Sequence, residues 1–141
     1  MANPIRISEA ASLGIHAMAL LASGEPSTLS ARTLAKQLNA SEAHLAKVLQ
    51  RLTKAGLLQS TRGPSGGFTL RRSPSAVSLL QIYEAIEGPM GRNTCLFEHP
   101  ICDGKQCVFG GLLGAVSEQI RSYFATTKLD GFSRFSVRPD E

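Results

Sequence analysis

A mainly α-helical fold with one small β-hairpin is predicted from three observations on the 141-residue sequence. Apolar residues recur at helical spacing in five segments, and four of these open on a serine placed to cap a helix. A glycine-rich reversal, Gly63-Pro64-Ser65-Gly66-Gly67, separates two short stretches with β character. Positive charge is concentrated up to Pro74, where nine Lys/Arg stand against three Asp/Glu; the remainder carries six against eight. Helix, turn, helix and basic hairpin in that order describe a winged helix-turn-helix domain. A long C-terminal dimerisation helix is expected to follow it.

The stretch SEAASLGIHAMALLAS, residues 8–23, opens with Ser8 and carries Ala11, Ile15, Met18 and Ala22 at helical spacing before Gly24. Glu25, Pro26 and Ser27 read as a polar loop. Ser30 then caps a short second helix with Ala31, Leu34, Ala35 and Leu38 on one face, and Asn39 is placed to stop it. Ser41 caps a third helix whose Leu45, Val48, Leu49 and Leu52 form an apolar stripe, with Gly56 at its end. His44, Lys47, Arg51 and Lys54 make a basic ridge on another face, as a recognition helix requires. The hairpin comes next, with Arg62 at its tip.

Ser78 caps a fourth helix with Leu79, Ile82 and Ile86 inward, and Gly88-Pro89 ends it. From Met90 to Gly110 periodicity is lost, and all three cysteines fall here. Beyond, Leu113, Val116, Ile120 and Tyr123 form a coiled-coil type of seam with little core left to cover, so a second copy of the chain is its expected partner. The tail from Asp130, with its Gly, Ser and Pro, is expected to be loosely ordered. The organisation is therefore a DNA-reading domain over residues 1–88, a sensor loop over 89–110, a dimerisation helix over 111–129 and a flexible tail over 130–141.

Apolar residues make up 43% of the chain, enough for one sizeable core but not for two. No run approaches the roughly 18 apolar residues of a membrane span, and MANPIRISEA lacks the basic-then-apolar order of a secretory signal. A cytoplasmic protein with no membrane partner is expected. There is no phosphate-binding glycine loop, Ser-His-Asp pattern or paired-carboxylate site, which argues against an enzyme.

The basic N-terminal half suits double-stranded DNA, because cationic side chains that displace condensed counterions supply the sequence-independent part of affinity. A merely solvated basic surface would have the same charge; the ordered series of helices and wing favours DNA. The candidate DNA-binding residues are Arg32, Ser41, His44, Lys47, Arg51, Arg62 and Gly66. The third helix would enter the major groove, while the wing follows the backbone or minor groove.

Cys95, Cys102 and Cys107 form a C-x6-C-x4-C loop. An odd number of thiols packed together under reducing conditions points to metal or redox chemistry rather than to a disulfide framework. Without a C-x-x-C pair, a zinc knuckle or thioredoxin-like enzyme is poorly matched. Three thiolates leave one coordination position open, for which His99 in the loop and His16, through the fold or across a dimer, are candidates; Glu98 and Asp103 are nearby carboxylates.

These residues resemble the Rrf2 family of bacterial winged-helix regulators, which includes the IscR, NsrR, RirA and CymR types. The resemblance runs from Ile5 to about Phe124. It rests on L-x-K-A-G-L-L at residues 52–58, R-G-P-S-G-G-F at 62–68, V-S-L-L-Q-I-Y-E-A-I-E-G at 77–88 and the three-cysteine loop. It implies a homodimer joined through the long helix and bound to a partly palindromic operator. In several members the cysteines carry a [2Fe-2S] or [4Fe-4S] cluster whose state tunes DNA binding. Members with clusters commonly show C-x5-C-x5-C; here the middle cysteine has slipped while the outer separation is kept. The IscR type's histidine three residues past the last cysteine is replaced by Gly110, and the NsrR type's acidic ligand by Ser12. His16 matches a first-helix position at which one branch of the family resembles a ligand donated by the other subunit.

The expected function is a transcription regulator, a repressor or dual regulator, whose iron-sulfur cluster reports redox state, nitric oxide or iron-sulfur status. Within the same fold the alternative is a thiol switch or a zinc site. In another class it is a metal carrier or thiol-redox protein that binds no specific DNA.

Overall fold

The computed structural model describes residues 3–24 and 27–138. Of the polar loop expected after the first helix, Glu25 and Pro26 lie outside the described residues. The order is α1 (Glu9–Ala22), α2 (Ala31–Gln37), α3 (Glu42–Lys54), β1 (Leu58–Thr61), β2 (Gly67–Leu70), α4 (Leu79–Glu87) and α5 (Leu112–Thr126). Short 3-10 turns at Pro74–Ala76 and Leu129–Phe132 precede α4 and follow α5.

The four capping serines do what their positions require. The hydroxyls of Ser8, Ser30, Ser41 and Ser78 accept from the backbone N–H groups of Ala11, Thr33, His44 and Gln81. Each satisfies a donor that the first turn leaves orphaned, worth about 1 kcal/mol. At α4 the Gln81 side chain also accepts from the Ser78 backbone, closing a capping box. Asn39 turns the chain between α2 and α3 at φ 51°, a left-handed conformation that asparagine tolerates better than most residues.

α1, α3 and α4 form the centre of the core, with α2 against α3. Met18, Leu34, Leu45, Leu49, Leu52 and Ile82 are fully buried there. The apolar stripe of α3 is inward at all four expected positions. In α1 the buried face differs from the expected stripe: Gly14, Ala17, Leu20 and Leu21 are buried, while Ile15 and Ala22 are only half-buried. The small residues explain this, because they let α1 lie close to its neighbours. A Cβ on Gly14 would overlap the Ile86 Cδ1 of α4 and lie 3.3 Å from Val48 Cγ1 of α3.

β1 and β2 pair antiparallel, Leu58 opposite Leu70 and Thr61 opposite Gly67. A third extended segment, unforeseen in the sequence, joins them: Leu29 and Phe68 exchange backbone hydrogen bonds of 3.2 and 2.8 Å. The wing is thereby tied to the segment that leads into α2.

The tail does not follow expectation. Leu79 N–H donates to Thr127 O, and Leu129 N–H donates to Val77 O, so the chain after α5 is pinned to the start of α4. Leu129 is fully buried, and Phe132, Phe135 and Val137 pack on the core. Loose ordering from Asp130 is therefore corrected as far as Val137. The Gly, Ser and Pro content was misleading because the aromatic and branched residues between them cover α1. On α5, Phe124 turns to the core, with its ring 5.9 Å from Tyr83 in an edge-on arrangement, and Tyr123 is left exposed.

Two substitutions test this packing by urea unfolding. Gly14→Val is expected to destabilise by about 1–3 kcal/mol through overpacking between α1 and α4. Leu129→Ala should cost about 2–5 kcal/mol, the range for emptying a buried leucine site; a change within a few tenths would mean that the tail contributes nothing to the core.

Candidate nucleic-acid interface and cysteine loop

α2, the Asn39 turn and α3 form the helix-turn-helix. Burial of Leu45, Val48, Leu49 and Leu52 leaves Lys47, Arg51 and Lys54 exposed and His44 half-buried. Arg32 is exposed at the start of α2, and Ser41 is exposed at the start of α3. The Ser41 oxygen is engaged as the cap, which leaves its O–H free to donate. Arg51 has a different partner: its Nη1 donates to the Ile86 carbonyl at 3.1 Å, across to the end of α4.

At the wing, Arg62 and the turn through Ser65 are exposed. Gly66 N–H donates to Gly63 O at 2.9 Å, closing the turn. A Cβ on Gly66 would collide with the Thr61 carbonyl, and one on Gly67 would lie 2.5 Å from the Leu29 carbonyl. Both glycines are therefore required by close backbone approach, and Gly66 shapes the wing tip whether or not it touches DNA. Leu29, and its close approach to Gly67, are what sequence reasoning missed. Their signal lies in a pairing across about forty residues, which no local pattern carries.

The cysteine loop leaves α4 over a short bridge. Glu84 Oε2 accepts from Met90 N–H at 3.0 Å, and Arg121 Nη1 of α5 donates to Met90 O at 2.8 Å. Ser117 Oγ donates to Asn93 O, and Arg92 pairs with Glu118 at 3.4 Å, an exposed contact of small energetic weight. Cys95, Cys102 and Cys107 then line one cavity of about 240 Å³ with Leu96, Phe97, Ile101 and Val108 among its other walls. Cys95 is half-buried and the other two thiols are exposed. Cys95 Sγ accepts from Phe97 N–H at 3.4 Å.

Soft sulfur donors in a carbon-lined cavity, one receiving an N–H···S bond, have the donor chemistry that suits an iron-sulfur cluster. Among the described residues, however, no three His, Cys, Asp or Glu side chains are arranged to hold a metal ion. The thiols share a cavity without forming a closed cage. His99 is exposed and is not part of the cavity wall. His16 is exposed on α1, where its Nδ1 lies 2.6 Å from Ser12 O and its ring 6.0 Å from Phe135. Because a carbonyl only accepts, Nδ1 is the donor in this contact and Nε2 points elsewhere than Ser12 O.

Residues 7–134 match the Rrf2 family, described as "Iron-dependent Transcriptional regulator". The chain belongs to the Rrf2 family. It is 37% identical over 84 residues to the HTH-type transcriptional regulator BadM of Rhodopseudomonas palustris, covering 60% of this chain and 54% of that one. It is 28% identical over 87 residues to IscR of Xenorhabdus nematophila, covering 62% and 53%. The matches thus span about half the length of these relatives. Among solved structures it is similar to CymR, the global cysteine regulator of B. subtilis, with a TM-score of 0.74, 23% identity and coverage of 94% and 98%.

Rrf2 proteins are DNA-binding transcriptional regulators, not enzymes, and the winged-helix fold expected from the sequence is the one observed. Among the described residues, no helix of this chain is long and apolar enough to cross a membrane.

The division expected between helix and wing gives a further test. Arg62→Ala is expected to weaken binding to every duplex and to lower the salt slope of log K by about 0.9, as for one lost phosphate contact. His44→Ala and Lys47→Ala should also relax sequence preference. Equal losses on selected and random duplexes for all three, measured by fluorescence anisotropy, would refute that division.

Proposed function

We propose that this Rrf2 regulator is a homodimeric, cytoplasmic repressor whose operator binding is set by an iron-sulfur cluster, [2Fe-2S] or [4Fe-4S], held by Cys95, Cys102 and Cys107. The observation that carries the reading is the shared apolar cavity of the three thiols, on a loop bonded to both α4 and α5. The family description as iron-dependent and the relatedness to IscR support it. A bound cluster would supply an electron-accepting centre sensitive to oxidants and nitric oxide. The chain's part is to present thiolates, to surround them with the carbon of Leu96, Phe97 and Ile101, and to transmit the loop's position through Met90.

Arg32, Ser41, His44, Lys47, Arg62 and Gly66 are the proposed DNA-facing positions, with α3 in the major groove and the wing on the backbone. The proposed dimer face centres on α5. A groove lined by Ile5, Ile7, Leu113, Val116, Ile120 and Phe124 runs along it, and Ile5, Leu112 and Tyr123 are more than half exposed. An apolar surface of this kind on a helix with seam spacing suits a second copy of the same chain. Two copies would set two recognition helices about one DNA turn apart, roughly 34 Å, as a palindromic operator demands. His16 lies beside the same apolar surface with Ile5, Ile7 and Phe124, so it is the proposed fourth ligand, donated across the dimer. His99 is the alternative within the loop.

A second reading, a thiol switch without a cluster, is favoured by the exposure of Cys102 and Cys107. Purification without oxygen separates the two. The cluster reading expects a coloured protein with stoichiometric iron and sulfide, lost on Cys102→Ser and diminished on His16→Ala but not on His99→Ala. A colourless, iron-free protein that still binds DNA, and whose binding changes when Cys102 and Cys107 are oxidised, establishes the thiol switch instead. Sedimentation equilibrium is expected to give a dimer, and Ile120→Glu a monomer with weaker operator binding.

A further inference from the structure

We infer that Arg51 is a positioning residue that ties the recognition helix to the end of α4, and not one of the phosphate contacts of the basic ridge. By spacing it belongs with His44, Lys47 and Lys54. Its guanidinium nevertheless donates to the Ile86 carbonyl at 3.1 Å, a partly buried bond spanning 35 residues of sequence. The partner explains the preference. The last carbonyls of a helix have no intrahelical donor and carry the negative end of its dipole, so an arginine from a neighbouring helix satisfies both.

Ile86 sits where three helices meet. Its Cδ1 occupies the space left by Gly14 of α1, and Val48 of α3 lines the same space. Movement of the end of α4 is therefore felt by α3 through a packed side chain and through a charged hydrogen bond. The chain just beyond that end is also fixed. Two residues on from Gly88, Met90 gives its N–H to Glu84 Oε2 and its carbonyl to Arg121 of α5. Arg51, Ile86, Glu84, Met90 and Arg121 thus form one bonded series from the DNA reader through α4 to the root of the cysteine loop and to α5. Every link is a hydrogen bond or a covalent step along a short, rigid helix end, so the series has little slack to absorb a displacement.

The positioning role stands on this geometry alone; its use in regulation rests on the proposed sensor role of the loop. The two are separable by experiment. Full-length protein is titrated with a duplex that the wild type selects from random sequence and with a scrambled duplex of equal length, between about 50 and 200 mM salt. Arg51→Gln is expected to weaken binding to the selected duplex roughly fivefold or more, to leave the scrambled duplex unaffected, and to keep the salt slope of the wild type. Lys47→Gln, as comparison, should lower the slope by about 0.9. Arg121→Gln, outside the reader, is expected to weaken selected binding in the same way. The double variant should lose no more than the weaker-binding single, because one series broken twice is no more broken.

Loss of slope in Arg51→Gln equal to that in Lys47→Gln, with equal losses on both duplexes, would make Arg51 a phosphate contact and overturn the inference. So would losses that multiply in the double variant. Where Arg51→Gln does not fold, as read by thermal unfolding, Arg121→Gln carries the test: a wild-type affinity for the selected duplex overturns the series. If the series holds in protein without a cluster but anaerobic reconstitution changes nothing, positioning stands and the sensor reading falls.

Discussion

The close approach of α1, α3 and α4 at Gly14, Val48 and Ile86 is the constraint on which the remainder of the molecule depends. A glycine at this crossing lets Ile86 enter α1's surface, which places the end of α4 against α1. The end of α4 in turn fixes the carbonyl that Arg51 reaches, the carboxylate that holds Met90 and hence the point from which the cysteine loop departs. Packed interiors respond to such changes in discrete steps rather than by smooth deformation. A short helix whose C-terminal end is joined both to α3 and to the root of the cysteine loop is therefore well placed to carry a state from one to the other.

The chain divides its chemistry along its length. Net positive charge lies up to Pro74, where nine Lys/Arg stand against three Asp/Glu, and on α3 the face opposite the basic ridge is committed to the core. The wing is braced by Leu29 as well as by its own hairpin, so a two-stranded ribbon that would be marginal alone acquires a third backbone partner. Such bracing matters for a reader, because a wing that drifts loses the phosphate contacts that set register.

Exposed large apolar side chains gather in the second half. Ile101 is 78% and Val108 96% exposed, and Leu96, Phe97 and Leu112 are each more than half exposed. Apolar side chains crowded on a loop beside an apolar helix are costly in water unless something covers them. In the proposed dimer the groove along α5 is covered by a second copy, and the loop's apolar side chains surround the thiols. Burial would also strengthen the few polar ties at Met90, which hold the loop against α4 and α5.

Local patterns determined much of this protein. The four serine caps, the Asn39 turn, the apolar face of α3, the glycine reversal of the wing and the cysteine spacing are all written within a few residues of themselves. Their physics is equally short-ranged: a cap bonds three residues on, and a helical face repeats every three or four. Membership of the Rrf2 family was legible in those same motifs. Other features required the chain to fold. The buried face of α1 shifted because α3, α4 and the chain after α5 all press on it. The tail from Asp130 packed, because Phe132 and Phe135 find α1 only after α5 has brought them there. Arg51 left its ridge for a carbonyl 35 residues away, and the three thiols came to share one cavity while His99 stayed out of it. Each depends on residues distant in sequence and adjacent in space, and only tertiary structure brings such partners together.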